Sequence, residues 1–130
     1  MTDDEDCPKP GDLIEINRGP YEHWALYVGD GCVIHVTTMD GNSPPLSAGS
    51  VTLLTSTAMV KKQLLTEVAG NHPWCVNNKY DCLRIPFPME EIVRRAERWI
   101  DKKVLYGVFL KNCEHFVTML RYGEGVSEQV

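Results

Sequence analysis

What this sequence lacks excludes several kinds of protein at once. It has no apolar run of 18 residues, so no segment reads as a transmembrane helix. Its N-terminus is acidic and lacks an apolar core, so no secretory signal is expected there. Basic residues are outnumbered: 13 Lys and Arg against 18 Asp and Glu give a formal charge of −5. That balance argues against nucleic-acid binding. The five cysteines (Cys7, Cys32, Cys75, Cys82, Cys113) are odd in number and form no CxxC pair. A disulfide framework is therefore not expected, and a reducing cytosolic setting fits better than secretion. With the four histidines (His23, His35, His72, His115) the cysteines make no zinc-ligand spacing, so neither a metal nor another cofactor is expected. There is no GxSxG elbow for a serine hydrolase, and no Walker-type or dinucleotide-binding glycine pattern.

What is present is ordinary globular chemistry, 43% apolar and 24% charged, in a chain long enough for one domain with a real core. Residues 1–10 carry four acids (Asp3, Asp4, Glu5, Asp6) and two prolines, and read as a flexible acidic lead-in. A single domain is expected over 11–125. Residues 126–130 are expected to be a short tail without a membrane anchor. Leu13–Ile16 opens the domain as a strand, and Asn17-Arg18-Gly19-Pro20 breaks it. Thr37 to Ser50 is rich in Gly, Pro, Asn and Ser and reads as a loop. Val60–Val68 alternates poorly but is taken as a strand, and Trp74–Asn78 as a further strand ending in a polar loop. After Pro88, the residues Met89, Ile92, Val93, Ala96, Trp99 and Ile100 follow a 3.6-residue period, which predicts a helix. Val104–Tyr106 is a short strand or an extended link into the following helix. The elements together imply an α+β domain, an antiparallel sheet packed against a few helices.

The clearest local signal is a β-hairpin. His23–Val28 and Cys32–Val36 are both rich in aromatic and β-branched residues and flank Gly29-Asp30-Gly31. A two-residue Asp30-Gly31 turn would pair 29 with 32 and put His23 and His35 on opposite faces. A three-residue loop, with Gly31 left-handed in a bulge, pairs 28 with 32. One face then reads Trp24, Leu26, Val28, Cys32, Ile34, Val36 and the other His23, Ala25, Tyr27, Val33, His35, Thr37. The second register segregates apolar residues cleanly, as a half-buried antiparallel pair requires. It puts both histidines on one face, close together.

Asn112–Tyr122 reads as a short helix with Asn112 as its cap and Cys113 at its first position. Cys113, Phe116, Val117 and Leu120 share one face, and Gly123 is a natural stop. A thiol there feels the positive end of the helix dipole, which favours the thiolate. A nucleophilic thiol needs a base within hydrogen-bond reach and a third group to fix that base's tautomer. His115 points to a different side of the helix, and His72 reads as a solvated surface residue. If the Cys113 helix covers the histidine face of the hairpin, a Cys-His-His set forms. Three readings remain open at this point: a catalytic thiol, another thiol hydrolase such as a peptidase, or a regulatory binding protein in which Cys113 is buried structure.

Longer motifs add a resemblance. Pro10-Gly11-Asp12-Leu13-Ile14-Glu15, His23–Gly31, Val76-Asn77-Asn78-Lys79-Tyr80-Asp81, Asn112-Cys113-Glu114-His115-Phe116-Val117 and Leu120-Arg121-Tyr122-Gly123 resemble the HRAS-like suppressor family, small relatives of lecithin retinol acyltransferase. The resemblance spans residues 8 to 129. It implies a papain-like and NlpC-like fold, circularly permuted so that the histidine-bearing sheet precedes the cysteine-bearing helix. It implies phospholipase A and acyltransferase activity on glycerophospholipids such as phosphatidylcholine and phosphatidylethanolamine, including N-acylation of the latter. Matched position by position, Cys113 is the nucleophile, His23 the base and His35 its orienting partner. Tyr21 and Arg18 match positions near the catalytic centre, in oxyanion or substrate binding. Glu114 and His115 belong to the motif without being catalytic. The chain departs from its relatives at Val36-Thr37-Thr38 and Trp74-Cys75-Val76, both beside the site. A monomer in peripheral contact with intracellular membranes is expected, with Leu46, Leu53, Leu54 and Met59 as candidate docking residues.

Overall fold

The computed structural model describes residues 7–38, 57–105 and 113–123. The Asn112 cap, the docking candidates Leu46, Leu53 and Leu54, residues 1–6 of the acidic lead-in and the tail lie outside these described residues. Four strands follow one another as an antiparallel meander: β1 (Leu13–Asn17), β2 (Glu22–Gly29), β3 (Cys32–Thr38) and β4 (Thr57–Leu64). Two short strands close the edges. β5 (Trp74–Val76) pairs with β1, and β6 (Lys103–Leu105) pairs with β4. The sheet order is β5-β1-β2-β3-β4-β6, antiparallel throughout. Among the described residues three helices, α1 (Leu65–Ala69), α2 (Met89–Glu97) and α3 (Cys113–Tyr122), complete the expected α+β class, with a 3-10 turn at Lys79–Cys82.

Period-2 alternation sorts the strands onto two covered faces. Trp24, Leu26, Ile34, Val36, Ala58 and Val60 form one face, closed by Ile92 and Ala96 of α2 and by Phe116, Val117 and Leu120 of α3. Those three α3 side chains are wholly buried, each contributing about 1.5–3 kcal/mol of apolar burial before entropic costs. The Trp99 ring stands edge-on to Phe116 at 5.8 Å and ties the turn after α2 to α3. Ile14, Ile16, Ala25 and Val33 form the opposite face, closed by Leu65, Val68 and Ala69 of the short α1.

The hairpin keeps the expected register in its body, with Leu26 opposite Ile34 and Tyr27 opposite Val33. The tip differs from the three-residue loop expected. Gly29 pairs with Cys32 around a two-residue Asp30-Gly31 turn, and an irregularity between Tyr27 and Gly29 absorbs the extra residue. Asp30 and Gly31 both have positive φ (57° and 78°), the mirror-image turn that follows the strands' twist. The turn geometry and the face segregation are thus both satisfied by bulging one residue.

Two helix boundaries also differ. The strand expected over Val60–Val68 ends at Leu64, where Leu65–Ala69 becomes α1. Leu65, Val68 and Ala69 fall at helical spacing and need to cover the Ile14/Ile16 face, which an extended chain would leave bare. The α2 helix ends at Glu97, and Trp99 and Ile100 pack against the core from the following turn.

Polar side chains lock the ends of these elements. Asn78 bridges to β1, its Oδ1 accepting from the Leu13 N–H (2.9 Å) and its Nδ2 donating to Asp12 Oδ1 (3.1 Å). Arg121 near the end of α3 donates through Nη1 to the Gly11 carbonyl (2.7 Å). Its Nε and Nη2 donate to the two Asp81 carboxylate oxygens (3.1 and 2.8 Å). The Tyr122 hydroxyl donates to Asp81 as well (2.6 Å). Burial alone would raise the Asp81 pKa, but the Arg121 and Tyr122 hydrogen bonds and the guanidinium charge outweigh it and leave it lowered. Gly123 ends α3 at φ 90°, and a Cβ there would lie 3.1 Å from the Phe87 ring.

Candidate active site

Cys113, the first residue of α3, is fully buried at the sheet. The helix lies on the apolar Trp24/Leu26 face, so the condition of a helix covering the histidine face is not met. The thiol nevertheless reaches the histidine strand, and the strand pairing explains how. The β2–β3 register runs from Gly29↔Cys32 only as far as Leu26↔Ile34. Both strands continue, β2 back to Glu22 and β3 on to Thr38, beyond the last register pair between them among the described residues. The Tyr27 N–H donates to Asp12 beside β1. Donor direction alternates along a strand, so the Trp24 N–H opens towards β3. Its acceptor is Cys113 Sγ, 3.3 Å away. Sγ also lies 3.9 Å from the Glu22 carbonyl. The sulfur thus lies beside β2, against the backbone on either side of His23.

His23 and His35 share the other face, as the hairpin register predicts. His23 Nε2 is 2.8 Å from His35 Nδ1, with the two rings nearly perpendicular (86°). Both side chains are buried. Burial is the main cause of the low His23 pKa, which falls well below the ordinary value, with His35 and the Arg18 charge lowering it further. His35 is also lowered, again mainly by burial. The Gln63 hydrogen bond opposes that shift and Arg18 adds to it. Both rings are therefore neutral near pH 7.

The proton pattern follows from one more contact. His35 Nε2 is 2.7 Å from Gln63 Oε1 on β4. That amide oxygen can only accept, so His35 carries its proton on Nε2. Neutral His35 then has a bare Nδ1, which must accept from His23 Nε2–H. His23 in turn keeps its lone pair on Nδ1. A hydrogen-bond chain Gln63–His35–His23 leaves a free basic nitrogen on the residue nearest the thiol in backbone position. A donor aimed at sulfur stabilises negative charge there, and a neutral imidazole can hold a proton. Together they can support thiol nucleophilic chemistry.

The remaining residues singled out in the sequence fall around this set. Arg18 Nη2 donates to the Val68 carbonyl (2.7 Å) at the end of α1, and its charge acts on both histidines. The Tyr21 carbonyl accepts from the Arg18 N–H (3.0 Å) and closes the turn into β2, two residues before His23. His72 is exposed and donates from Nδ1 to the Ala69 carbonyl (3.2 Å), as a surface histidine would. His115 is half-buried, with its carbonyl accepting from Thr118 Oγ1 (3.1 Å).

Gln63 was not found from the sequence. Its only signal is register: on β4, Lys61 stands opposite His35 and Gln63 two residues further on, along the same face. Glu114 is a second surprise. It is fully buried one residue from Cys113, accepts from the Tyr80 hydroxyl (2.9 Å) and lies 3.5 Å from Lys79 Nζ. The Val76–Asp81 motif therefore serves the site indirectly. Its Asn77 and Asn78 fasten β1, while Lys79, Tyr80 and Asp81 hold the two ends of α3.

Comparison with known proteins agrees with the resemblance read in the motifs. Residues 6–126 match the lecithin retinol acyltransferase family. Phospholipase A and acyltransferase 1 of Homo sapiens is 52% identical over 122 residues, covering 94% of this chain and 72% of the relative. The Mus musculus protein of the same name is 54% identical over 123 residues, 94% of this chain and 72% of the relative. Phospholipase A and acyltransferase 3 of Mus musculus is 50% identical over 123 residues, 95% of this chain and 76% of the relative. On a family match that spans nearly the whole chain, and on these identities, the protein belongs to the lecithin retinol acyltransferase family, among its phospholipase A and acyltransferase members.

Proposed function

We propose that this protein is a thiol-dependent phospholipase A and acyltransferase acting on glycerophospholipids, with Cys113 as nucleophile, His23 as base and His35 as the residue that orients it. The observation that carries the reading is the Trp24 N–H bond to Cys113 Sγ, which ties the thiol to the strand bearing the His23–His35 pair. The family supports the substrate class, since the relatives are named as phospholipases A and acyltransferases.

In the first half-reaction His23 Nδ1 takes the Cys113 proton and the sulfur attacks an ester carbonyl of the phospholipid. A backbone amide at the start of α3 holds the oxyanion. The carbon–oxygen bond then breaks, the His23 proton passes to the leaving alkoxide, and a lysophospholipid departs. An acyl thioester remains on Cys113. In the second half-reaction His23 removes a proton from water or from the amine of phosphatidylethanolamine. The new nucleophile attacks the thioester, releasing a fatty acid or an N-acyl phospholipid and restoring the thiol. Arg18 and Tyr21, at the turn that leads into β2, contribute to substrate or oxyanion binding. No helix among the described residues is long and apolar enough to cross a membrane. Contact with the lipid is peripheral, on intracellular membranes, and the protein acts as a monomer.

Dispersed phosphatidylcholine, with and without phosphatidylethanolamine, tests this. Cys113→Ala is expected to abolish turnover, and wild-type protein quenched during turnover to carry an acyl mass on Cys113. His23→Ala is expected to be nearly inactive and His35→Ala less impaired, because an orienting group contributes less than the base. Undiminished turnover in Cys113→Ala would overturn the reading, and release from peptides in place of phospholipid would reassign the substrate class.

A further inference from the structure

We infer that Gln63 is a positioning residue for this reaction, fixing the tautomers of His35 and His23 so that His23 offers its lone pair from Nδ1. The inference rests on the reading of His23 as the base, and deepens it. Two neutral imidazoles carry one N–H each, and two arrangements of those protons keep the bond between the rings. If His35 carried its proton on Nδ1, it would donate to His23 Nε2. His23 would then be protonated on Nδ1 and could not act as a base from that atom. Only a group that fixes the far end of the chain selects between these patterns. Gln63 turns Oε1, not its amide nitrogen, to His35 Nε2 at 2.7 Å, and in that orientation it accepts and selects the productive pattern.

Sheet register supplies the precision. β4 pairs with β3 along its length, with Gln63 opposite Val33 and Lys61 opposite His35. The Gln63 side chain therefore meets the imidazole diagonally across two hydrogen-bonded strands rather than from a loop. Its chemistry also suits a neutral relay. The charged group acting on both histidines is Arg18, at the turn before β2, and it lowers the pKa of each. Gln63 itself is exposed while both rings are buried, and a carboxylate at position 63 would favour a charged imidazolium beside it. An amide orients the ring without adding charge, which keeps His23 able to accept a proton.

Nitrogen-15 NMR of the histidines in the full chain, combined with a kcat and KM pH profile on phosphatidylcholine, tests the assignment. In wild type both His23 and His35 are expected as Nε2–H tautomers. In Gln63→Leu, His35 becomes a mixture of tautomers, and kcat falls about tenfold with KM little changed, the worth of one net hydrogen bond. Gln63→Glu restores the acceptor. It keeps the Nε2–H tautomer and most of kcat, and it moves the acid limb of kcat/KM to higher pH. The inference is overturned if wild-type His35 carries its proton on Nδ1. It is equally overturned if Gln63→Leu keeps wild-type tautomers and kcat, or if the Leu and Glu variants lose activity alike. Cys113→Ala decides the catalytic reading separately, since the tautomers can be read in that variant without turnover.

Discussion

Removing the Arg121 side chain is a quantitative test of what holds α3 in place. Arg121→Met keeps the apolar stem but deletes three hydrogen bonds. The bond to the Gly11 carbonyl is buried, and an abandoned buried acceptor costs about 1–3 kcal/mol. The paired bonds to Asp81 are worth less. The Arg121 side chain is 10% exposed but that of Asp81 is 40% exposed, so water takes over much of the carboxylate's solvation. Their loss costs about 1 kcal/mol. The total is about 2–4 kcal/mol, or about 8–16 °C in Tm for a domain of this size. Urea unfolding followed by tryptophan fluorescence measures it. Asp81→Asn is expected to cost less in the wild type and almost nothing in the Arg121→Met background, because the pair no longer exists there. Arg121 is eight residues from Cys113, about 12 Å along the helix axis. The kcat of Arg121→Met well below its Tm is therefore expected to match wild type. A loss of stability under about 1 kcal/mol, or additive effects of the two substitutions, would refute this account of the anchor.

The two buried histidines make stability depend on pH in a definite direction. Their folded pKa values lie below the ordinary 6.5, so the unfolded chain binds protons first. Stability is whole above pH 6.5 and is lost as pH falls below it towards the depressed folded values. Thermal melts between about pH 7.5 and 5 are expected to show this loss, and a His23→Gln variant to show a shallower one. A wild-type Tm that is flat across the window would refute it. Phe116→Ala is expected to cost about 3–5 kcal/mol, because the ring is fully buried against Trp99 and its neighbours cannot close the space. Chemical denaturation checks it, and a cost below about 1.5 kcal/mol would show that the α2–α3 contact repacks.

Much of this site is legible in the sequence because it depends on local patterns. Two β-branched runs about a Gly-Asp-Gly tip mark the hairpin. The demand for one apolar face is enough to put His23 and His35 together. The Cys113 helix is legible from four residues at i, i+3, i+4 and i+7, all of which are buried. What escapes depends on partners distant in sequence. Gln63 is 28 residues from His35, and only the β3–β4 register brings them together. Glu114 carries no sign in the sequence of its burial, which comes from Tyr80 and Lys79 folding over it. The α1 helix is hidden because Leu65–Ala69 is shorter than a clear 3.6-residue signal requires, and the face it must cover exists only once β1 and β2 are paired.

A helix covering the histidine face would form the Cys-His-His set directly, but α3 lies on the other face. That difference sharpens the account of the site. A strand presents side chains to its two faces but its N–H groups to its edges. A thiol packed on one face can approach a histidine on the other only beside the strand, where neighbouring strands are not closed on each other. Among the described residues, β2 and β3 have no register pair beyond Leu26 and Ile34, and the freed Trp24 N–H meets the sulfur. The same opening is spanned on the far face by the 2.8 Å contact between His23 and His35. Had the hairpin ladder continued to Glu22, the Trp24 N–H would be committed to β3 and unavailable to the sulfur. The incomplete ladder therefore belongs to the site, and it is maintained from both sides. α3 is held from one side by Phe116, Val117 and Leu120. On the other, Gln63 draws His35 towards β4 and Arg18 fixes α1 to the turn before β2.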